Sequence, residues 1–309
     1  MGNMKKLVFI FPGQGSQLVG MGKDLYNKIS IAKEFYEKAN EYLNFSLTSI
    51  SFNGPKGTLQ QTIYTQPAIY VHSCIISYLL NEKNIFPNAV CGHSLGELSA
   101  LYSSGSITFE DGLKIVKSRS ESMQLSGQNN PGTMLALIGA TKNQINEICN
   151  QKETVVIANL NSIDQIVISG SINGIENAKK SAQKMGIKRI FPLNVSGAFH
   201  SPLMTDAKSS LFETLKKINF SDVEIPVYQN LNGKPELKGE NLKKNFTDQL
   251  INPVKWLNTI ENIIQKKMYT FIEIGPGKVL QRLNRRINKN SVNFGISSIE
   301  EIESFKYEY

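Results

Sequence analysis

Leu7-Val8-Phe9-Ile10-Phe11 is an unbroken apolar run closed by Pro12-Gly13, the pattern of a strand buried on both faces of a parallel sheet. A polar loop through Gln17 follows it, at the strand end where open α/β sheets place their sites. Apolar positions then recur at helical spacing over about 31–43 and 66–80, the second stretch entered through Thr65-Gln66-Pro67 with proline at the first helical position. The segment 89–98 passes from a small-residue, β-prone run into a helix through Gly92-His93-Ser94-Leu95-Gly96. Residues 108–124 read as a further amphipathic helix carrying Arg119 on its inner half.

The pattern changes at Gln128-Asn129-Asn130-Pro131-Gly132, a cluster of turn formers. Beyond it the periodicities predict strand 133–138, helix 141–150, strands 155–160 and 165–170, helix 172–185 and strand 188–193. That order, β-α-β-β-α-β, is the split motif of ferredoxin-like domains. The chain then returns through a loop at 194–204 to helix 203–218, strand 227–231, helices over 241–264 and strand 269–274. The expected architecture is α/β: a parallel-sheet body from 1–128 and 195–309, interrupted by a small ferredoxin-like domain at 129–194.

Composition narrows the function classes. The 309 residues are 40% hydrophobic and 19% charged, ordinary for a globular chain. No apolar run approaches the roughly 18–20 residues of a membrane span. The basic start Met1–Lys6 is followed by an apolar stretch that stops at Pro12, too short for a secretory leader. A cytoplasmic or plastid-stromal protein is expected, with no membrane partner. Three cysteines, Cys74, Cys91 and Cys149, lie far apart without metal spacing, which fits a reduced compartment and no metal. The net charge of +8 suits an anionic partner or a lysine-rich composition. No nucleic-acid motif accompanies it, so nucleic acid is not expected.

The candidate chemistry centres on Gly92-x-Ser94-x-Gly96, the spelling of a nucleophile elbow. A strand-to-helix turn this tight strains its central residue and excludes side chains two positions away. It would lift the Ser94 hydroxyl clear of the sheet and put the Leu95 N–H and a helix N-terminus under any oxyanion. Alone, the same letters also fit a glycine-rich turn with serine as a helix cap. A serine nucleophile needs a base, and three histidines are available. His72 lies in an apolar helical pattern and His93 adjoins Ser94 on a turn that points neighbours apart. His200 opens a Ser-Pro-anchored loop after the inserted domain and is the candidate base. Pro12–Gln17 lacks the third glycine of a dinucleotide fingerprint and the Gly-Lys-Ser/Thr of a P-loop.

These words, with Phe11-Pro-Gly-Gln-Gly-Ser-Gln17, Thr65-Gln-Pro67, Gly92-His-Ser-Leu-Gly-Glu97, Arg119, Asn159-x-Asn161, Gly197-Ala-Phe-His200, Asn252-Pro-Val-x-Trp256 and Glu273-x-Gly-Pro-Gly277, resemble the malonyl-CoA:acyl-carrier-protein transacylases of bacterial and plastid-type fatty acid synthesis. The resemblance spans nearly the whole chain and implies an α/β-hydrolase-like body with a ferredoxin-like insert. It implies Ser94 as the malonylated nucleophile and His200 as its base, a dyad whose imidazole is oriented by the backbone carbonyl of Gln249. It further implies an oxyanion hole from the Gln14 and Leu95 N–H groups, and Arg119 as receptor for the malonyl carboxylate. Gln66, Asn159 and Asn161 would line the cleft, and Phe199 matches the malonyl-selective form of its motif. Leu98 stands where tyrosine is commoner. The implied partners are malonyl-CoA and acyl carrier protein, met by a monomer. No resident cofactor is implied, because coenzyme A and phosphopantetheine thioesters are substrates. An acidic carrier would suit the basic residues Lys184, Lys188, Arg189, Lys278, Arg282, Arg285 and Arg286. The alternatives are an acyltransferase serving a polyketide synthase, a serine hydrolase with a triad acid and no task for Arg119, and a silent carrier-binding subunit lacking Ser94, His200 or Arg119.

Overall fold

The computed structural model describes residues 6–307. Of the basic start considered as a leader, Met1–Lys6, all but Lys6 lies outside them. Among the described residues ten strands form two sheets: β1 (Leu7–Phe11), β2 (Ala89–Gly92), β3 (Gly132–Ile138), β4 (Val155–Leu160), β5 (Gln165–Ser171), β6 (Arg189–Pro192), β7 (Val227–Tyr228), β8 (Pro235–Glu236), β9 (Thr270–Ile274) and β10 (Val292–Ile296). The larger sheet runs β10-β9-β1-β2-β7-β8, parallel throughout except for β8, which pairs antiparallel with β7.

β1 lies central in this sheet, and its alternation explains why. Leu7, Phe9 and Phe11 join one apolar cluster, while Val8 and Ile10 join another on the opposite face with Trp256, Ile260 and Phe271. All five β1 side chains are fully buried, which only a strand covered by helices on both faces achieves.

The second sheet is antiparallel, ordered β4-β5-β3-β6. The helices Lys142–Cys149 and Ile172–Lys184 pack on it, burying Ile145, Ile148, Ile175, Ala178 and Ala182 with Leu135, Leu137 and Ile168. Thr141 starts the first of these with a full capping box through Gln144. β4 bulges between Ile157 and Asn159, and there Asn159 bridges to Val254, in the segment before the helix Trp256–Gln265.

Several elements differ from the sequence expectation. The helix predicted at 66–80 spans Thr62–Glu82, with Pro67 inside it. Pro67 is its sixth residue rather than the first, and withholds one backbone N–H from the helix ladder. The helix carrying Arg119 continues to Asn129, through half of the turn cluster. The strand expected over 227–231 has only two residues, and β8 and β10 were not anticipated. β10 alternates apolar residues with Asn293 and Gly295 at the sheet edge, too little pattern to separate from loop.

Candidate active site

The elbow is built as its letters suggest. β2 ends at Gly92, a helix begins at Gly96, and Ser94 between them has φ 52°, a left-handed conformation that costs a non-glycine residue about 1–3 kcal/mol. A Cβ on Gly92 would lie 2.0 Å from the Gly96 carbonyl, and one on Gly96 would lie 2.0 Å from the Phe11 carbonyl oxygen. Both glycines are there because backbone occupies the space a side chain would need.

His200 also has a positive φ, 56°, in the loop before the turn Pro202–Met204. Its Nε2 lies 2.8 Å from Ser94 Oγ, and its Nδ1 lies 2.9 Å from the backbone carbonyl oxygen of Gln249. A carbonyl only accepts, so Nδ1 carries the proton and Nε2 presents its lone pair to the hydroxyl. Burial lowers the His200 pKa to about 3; the Gln249 carbonyl opposes the shift and the Arg119 cation adds to it. The imidazole is therefore neutral at physiological pH, the form a base requires. A main-chain carbonyl, not a carboxylate, occupies the place of a triad acid.

Arg119 is 1% exposed, on the helix Phe109–Asn129. Nη1 donates to Gln66 Oε1 at 2.8 Å, and Nη2 donates to Ser94 Oγ and to Gln249 Oε1, both at 3.1 Å. Its Nε–H has no partner among the described residues. Burial lowers its pKa to about 10, with Glu97 pulling the other way, so the group stays cationic. A buried guanidinium without an ion-pairing carboxylate, keeping an unused donor, is suited to receive an anion.

Ser94, His200 and Arg119 line one cavity of about 250 Å³ with Gln14, Leu95, Gln66, Asn159, Asn161 and Phe199. Met134, Ala136 and Val167 of the antiparallel sheet form its opposite wall. The Gln14 side chain donates to Thr62 Oγ1 at 3.2 Å, and His93 Nε2 lies 2.8 Å from Asn161 Oδ1, joining the elbow to the segment after β4. Gln249 is fully buried behind the wall and meets Arg119 and Ser94 through its side chain as well as His200 through its backbone. His72 is apart from this group and fully buried. Two residues that sequence reasoning gave no role, Asn230 and Glu97, sit directly beneath the elbow: Asn230 Oδ1 accepts from the Ser94 N–H at 2.7 Å, and its own N–H donates to Glu97 Oε2 at 2.6 Å. Asn230 carries no local signal, and Glu97 stood in a motif without a task. Among the described residues, no group of three or more His, Cys, Asp or Glu could hold a metal ion, and no helix is long and apolar enough to cross a membrane.

Comparison with known proteins places this geometry. Residues 8–302 match the acyl transferase domain family. The chain is 38% identical over 304 residues to a malonyl CoA-acyl carrier protein transacylase of Bacillus subtilis, covering 97% of this chain and 96% of that one. The chain belongs to the malonyl CoA-acyl carrier protein transacylases. A Staphylococcus aureus transacylase of the same name is 37% identical, covering 98% and 99% of the two chains. Among solved structures, the acyl carrier protein S-malonyltransferase of Vibrio cholerae superposes with a TM-score of 0.93 at 35% identity, over 98% of this chain and 100% of that one. A malonyl-transacylase in complex with its type II PKS acyl-carrier protein superposes at 0.93 and 33% identity, covering 97% and 98%. As in those transacylases, a parallel-rich sheet and a separate antiparallel sheet make a mixed α/β chain.

Proposed function

We propose that the protein transfers malonyl from malonyl-CoA to the phosphopantetheine thiol of acyl carrier protein through a malonyl-Ser94 ester. The observation that carries the reading is a buried guanidinium 3.1 Å from a serine hydroxyl that itself faces a neutral imidazole. A carboxylate receptor beside a nucleophile selects an acyl group that carries its own charge.

The reaction divides into two transfers. Ser94 Oγ attacks the thioester carbonyl while His200 Nε2 takes its proton. The oxyanion is met by the N–H groups of Gln14 and Leu95, and the helix beginning at Gly96 adds its positive end. Collapse breaks the carbon–sulfur bond, and His200 returns the proton to the coenzyme A thiolate. The carrier's thiol then attacks the malonyl ester, giving its proton to His200, which passes it to the Ser94 oxygen as the ester breaks. Arg119 pairs with the malonyl carboxylate in both halves and holds the acyl group against loss to water. Both thioesters enter as substrates, and the chain needs no resident cofactor. One chain supplies every group, which suits a monomer, and a cytoplasmic or stromal setting suits the substrates.

The two sheets correspond to two domains, an α/β-hydrolase-like body of residues 1–128 and 195–309 and a ferredoxin-like insert of 129–194, with the cavity between them. A polyketide carrier is the second reading for the acceptor, favoured by the likeness to a transacylase caught with a type II PKS acyl-carrier protein. The test is intact mass after mixing with malonyl-CoA or acetyl-CoA. Wild type should gain one malonyl group, Ser94→Ala none, and Arg119→Ala should lose the preference for malonyl. Rapid turnover into water without a lasting adduct would refute the transferase and favour a hydrolase.

A further inference from the structure

A backbone turned as sharply as the elbow frees peptide groups from both the sheet ladder and the helix, and buried peptide groups need partners. In this protein one side chain takes two of them. Asn230, fully buried just after β7, accepts from the Ser94 N–H through Oδ1 at 2.7 Å and donates from Nδ2 to the Gly92 carbonyl at 2.6 Å. The same Oδ1 accepts from Gln249 Nε2 at 3.3 Å, and Gln249 Nε2 also reaches the Ser94 carbonyl at 3.1 Å. The clip therefore spans the nucleophile and ties it to the residue whose carbonyl orients His200.

Asn230 is itself anchored. Its N–H donates to Glu97 Oε2 at 2.6 Å, and Gln229 Nε2 donates to Glu97 Oε1 at 3.2 Å. Glu97 is fully buried on the helix that the elbow begins, so anchor and nucleophile belong to one rigid piece. No cation forms a salt bridge with it among the described residues. A buried carboxylate without a salt-bridged cation is expensive, and burial raises the Glu97 pKa to about 7 against the donors that face it and the Arg119 cation. A fully apolar side chain would pack there at lower cost, so its donors define its use.

We propose that Asn230, held by Glu97, is the positioning residue of the nucleophile: it fixes the peptide plane before Ser94 so that Oγ stays in line with His200 Nε2 and the Leu95 N–H stays free for the oxyanion. The inference rests on the transacylase reading above. Asn230 touches no reacting atom; it acts through the backbone of Ser94. With the clip gone, the His93–Ser94 peptide can rotate, and a displacement of about 1 Å at a reacting atom costs on the order of 10²-fold in rate.

The experiment is the burst of coenzyme A release from malonyl-CoA without carrier, whose amplitude counts competent sites and whose rate constant reports acylation. For Asn230→Ala the rate constant per competent site should fall about 10²-fold, with apparent affinity for malonyl-CoA held within about threefold. Glu97→Gln retains Asn230 but turns one acceptor oxygen into a donor facing Gln229; it should lower the rate constant about tenfold, the cost of one poorly met buried group. A merely structural role would lower the amplitude and the melting temperature while the surviving sites react at the wild-type rate. That result in either variant overturns the proposal, and Glu97→Gln decides it if Asn230→Ala does not fold. Absence of any burst in wild type would instead overturn the transacylase reading, so the two failures are distinct.

Discussion

Arg119 Nη2 lies 3.1 Å from Ser94 Oγ, the same oxygen that His200 Nε2 meets at 2.8 Å. The hydroxyl thus sits between a cation and a base. A carboxylate arriving at Arg119 would compete with Ser94 for that donor, so the group proposed to recognise malonyl also touches the oxygen proposed to attack it.

Arg119→Ala should reduce kcat/KM for malonyl-CoA by about two to four powers of ten, the factor equivalent to the roughly 3–5 kcal/mol of an unpaired buried charge. Acetyl-CoA, which brings no carboxylate, should lose far less. Arg119→Lys should not restore malonyl selectivity, because an ammonium cannot offer two parallel donors. Steady-state kinetics with both thioesters checks this, and an unchanged malonyl-to-acetyl ratio would contradict it.

The basic residues considered for carrier docking are all exposed. Arg189 and Arg286 share Asp164 at 3.7 and 3.9 Å, weak pairs in partly exposed surroundings. Lys278 and Arg282 flank Val279, Leu280 and Leu283, which line the cavity. Reversing Lys188 and Arg282 to glutamate should slow transfer to an acidic carrier and flatten its dependence on salt, leaving the malonyl-CoA burst intact. Equal loss in both reactions would remove docking as the explanation.

His72 should make the fold acid-sensitive. Burial lowers its pKa to about 4, against Asp24 and the Ser297 backbone, and among the described residues neither ring nitrogen finds a hydrogen-bond partner of ordinary geometry. The native state keeps the ring neutral, whereas the unfolded chain takes up a proton below about pH 6.5. Its contribution is therefore whole above pH 6.5 and is lost as pH falls toward 4. Between pH 8 and pH 5 wild type should lose about 2 kcal/mol more stability than His72→Leu. Urea unfolding at the two pH values measures the difference, and parallel losses would show that His72 is not the acid-sensitive group.

Gly96→Ala should not yield folded protein. The added methyl would lie 2.0 Å from the Phe11 carbonyl oxygen, and that oxygen belongs to the central strand and accepts from the His93 N–H. Neither strand nor elbow can yield without the other, so a loss above about 3 kcal/mol is expected. Circular dichroism and soluble yield report it; a variant melting near wild type would mean that the elbow relaxes.

Local pattern carried much of this protein. Five consecutive apolar residues announced a strand covered on both faces, and the split motif was legible because each of its elements has its own periodicity and Thr141 and Ser171 cap its helices. Gly92 and Gly96 marked the elbow because a tight turn can be spelled only with residues that lack a side chain. Edge elements were not legible: β10 has few apolar positions, and the two-residue β8 takes its place from its neighbour rather than from its letters.

What the amino-acid order could not determine is which distant groups share hydrogen bonds. Asn230 lies 136 residues from Ser94, and Gln249, 49 residues from His200, was named as its partner only through the family resemblance. A residue's periodicity reports the face it presents within its own element, whereas a donor and an acceptor from separate elements meet only after the sheet is assembled and the chain has returned from the antiparallel insert. The alcohol, the imidazole and the guanidinium could be nominated from the sequence; packing of the two sheets decided that they meet, and burial decided their protonation.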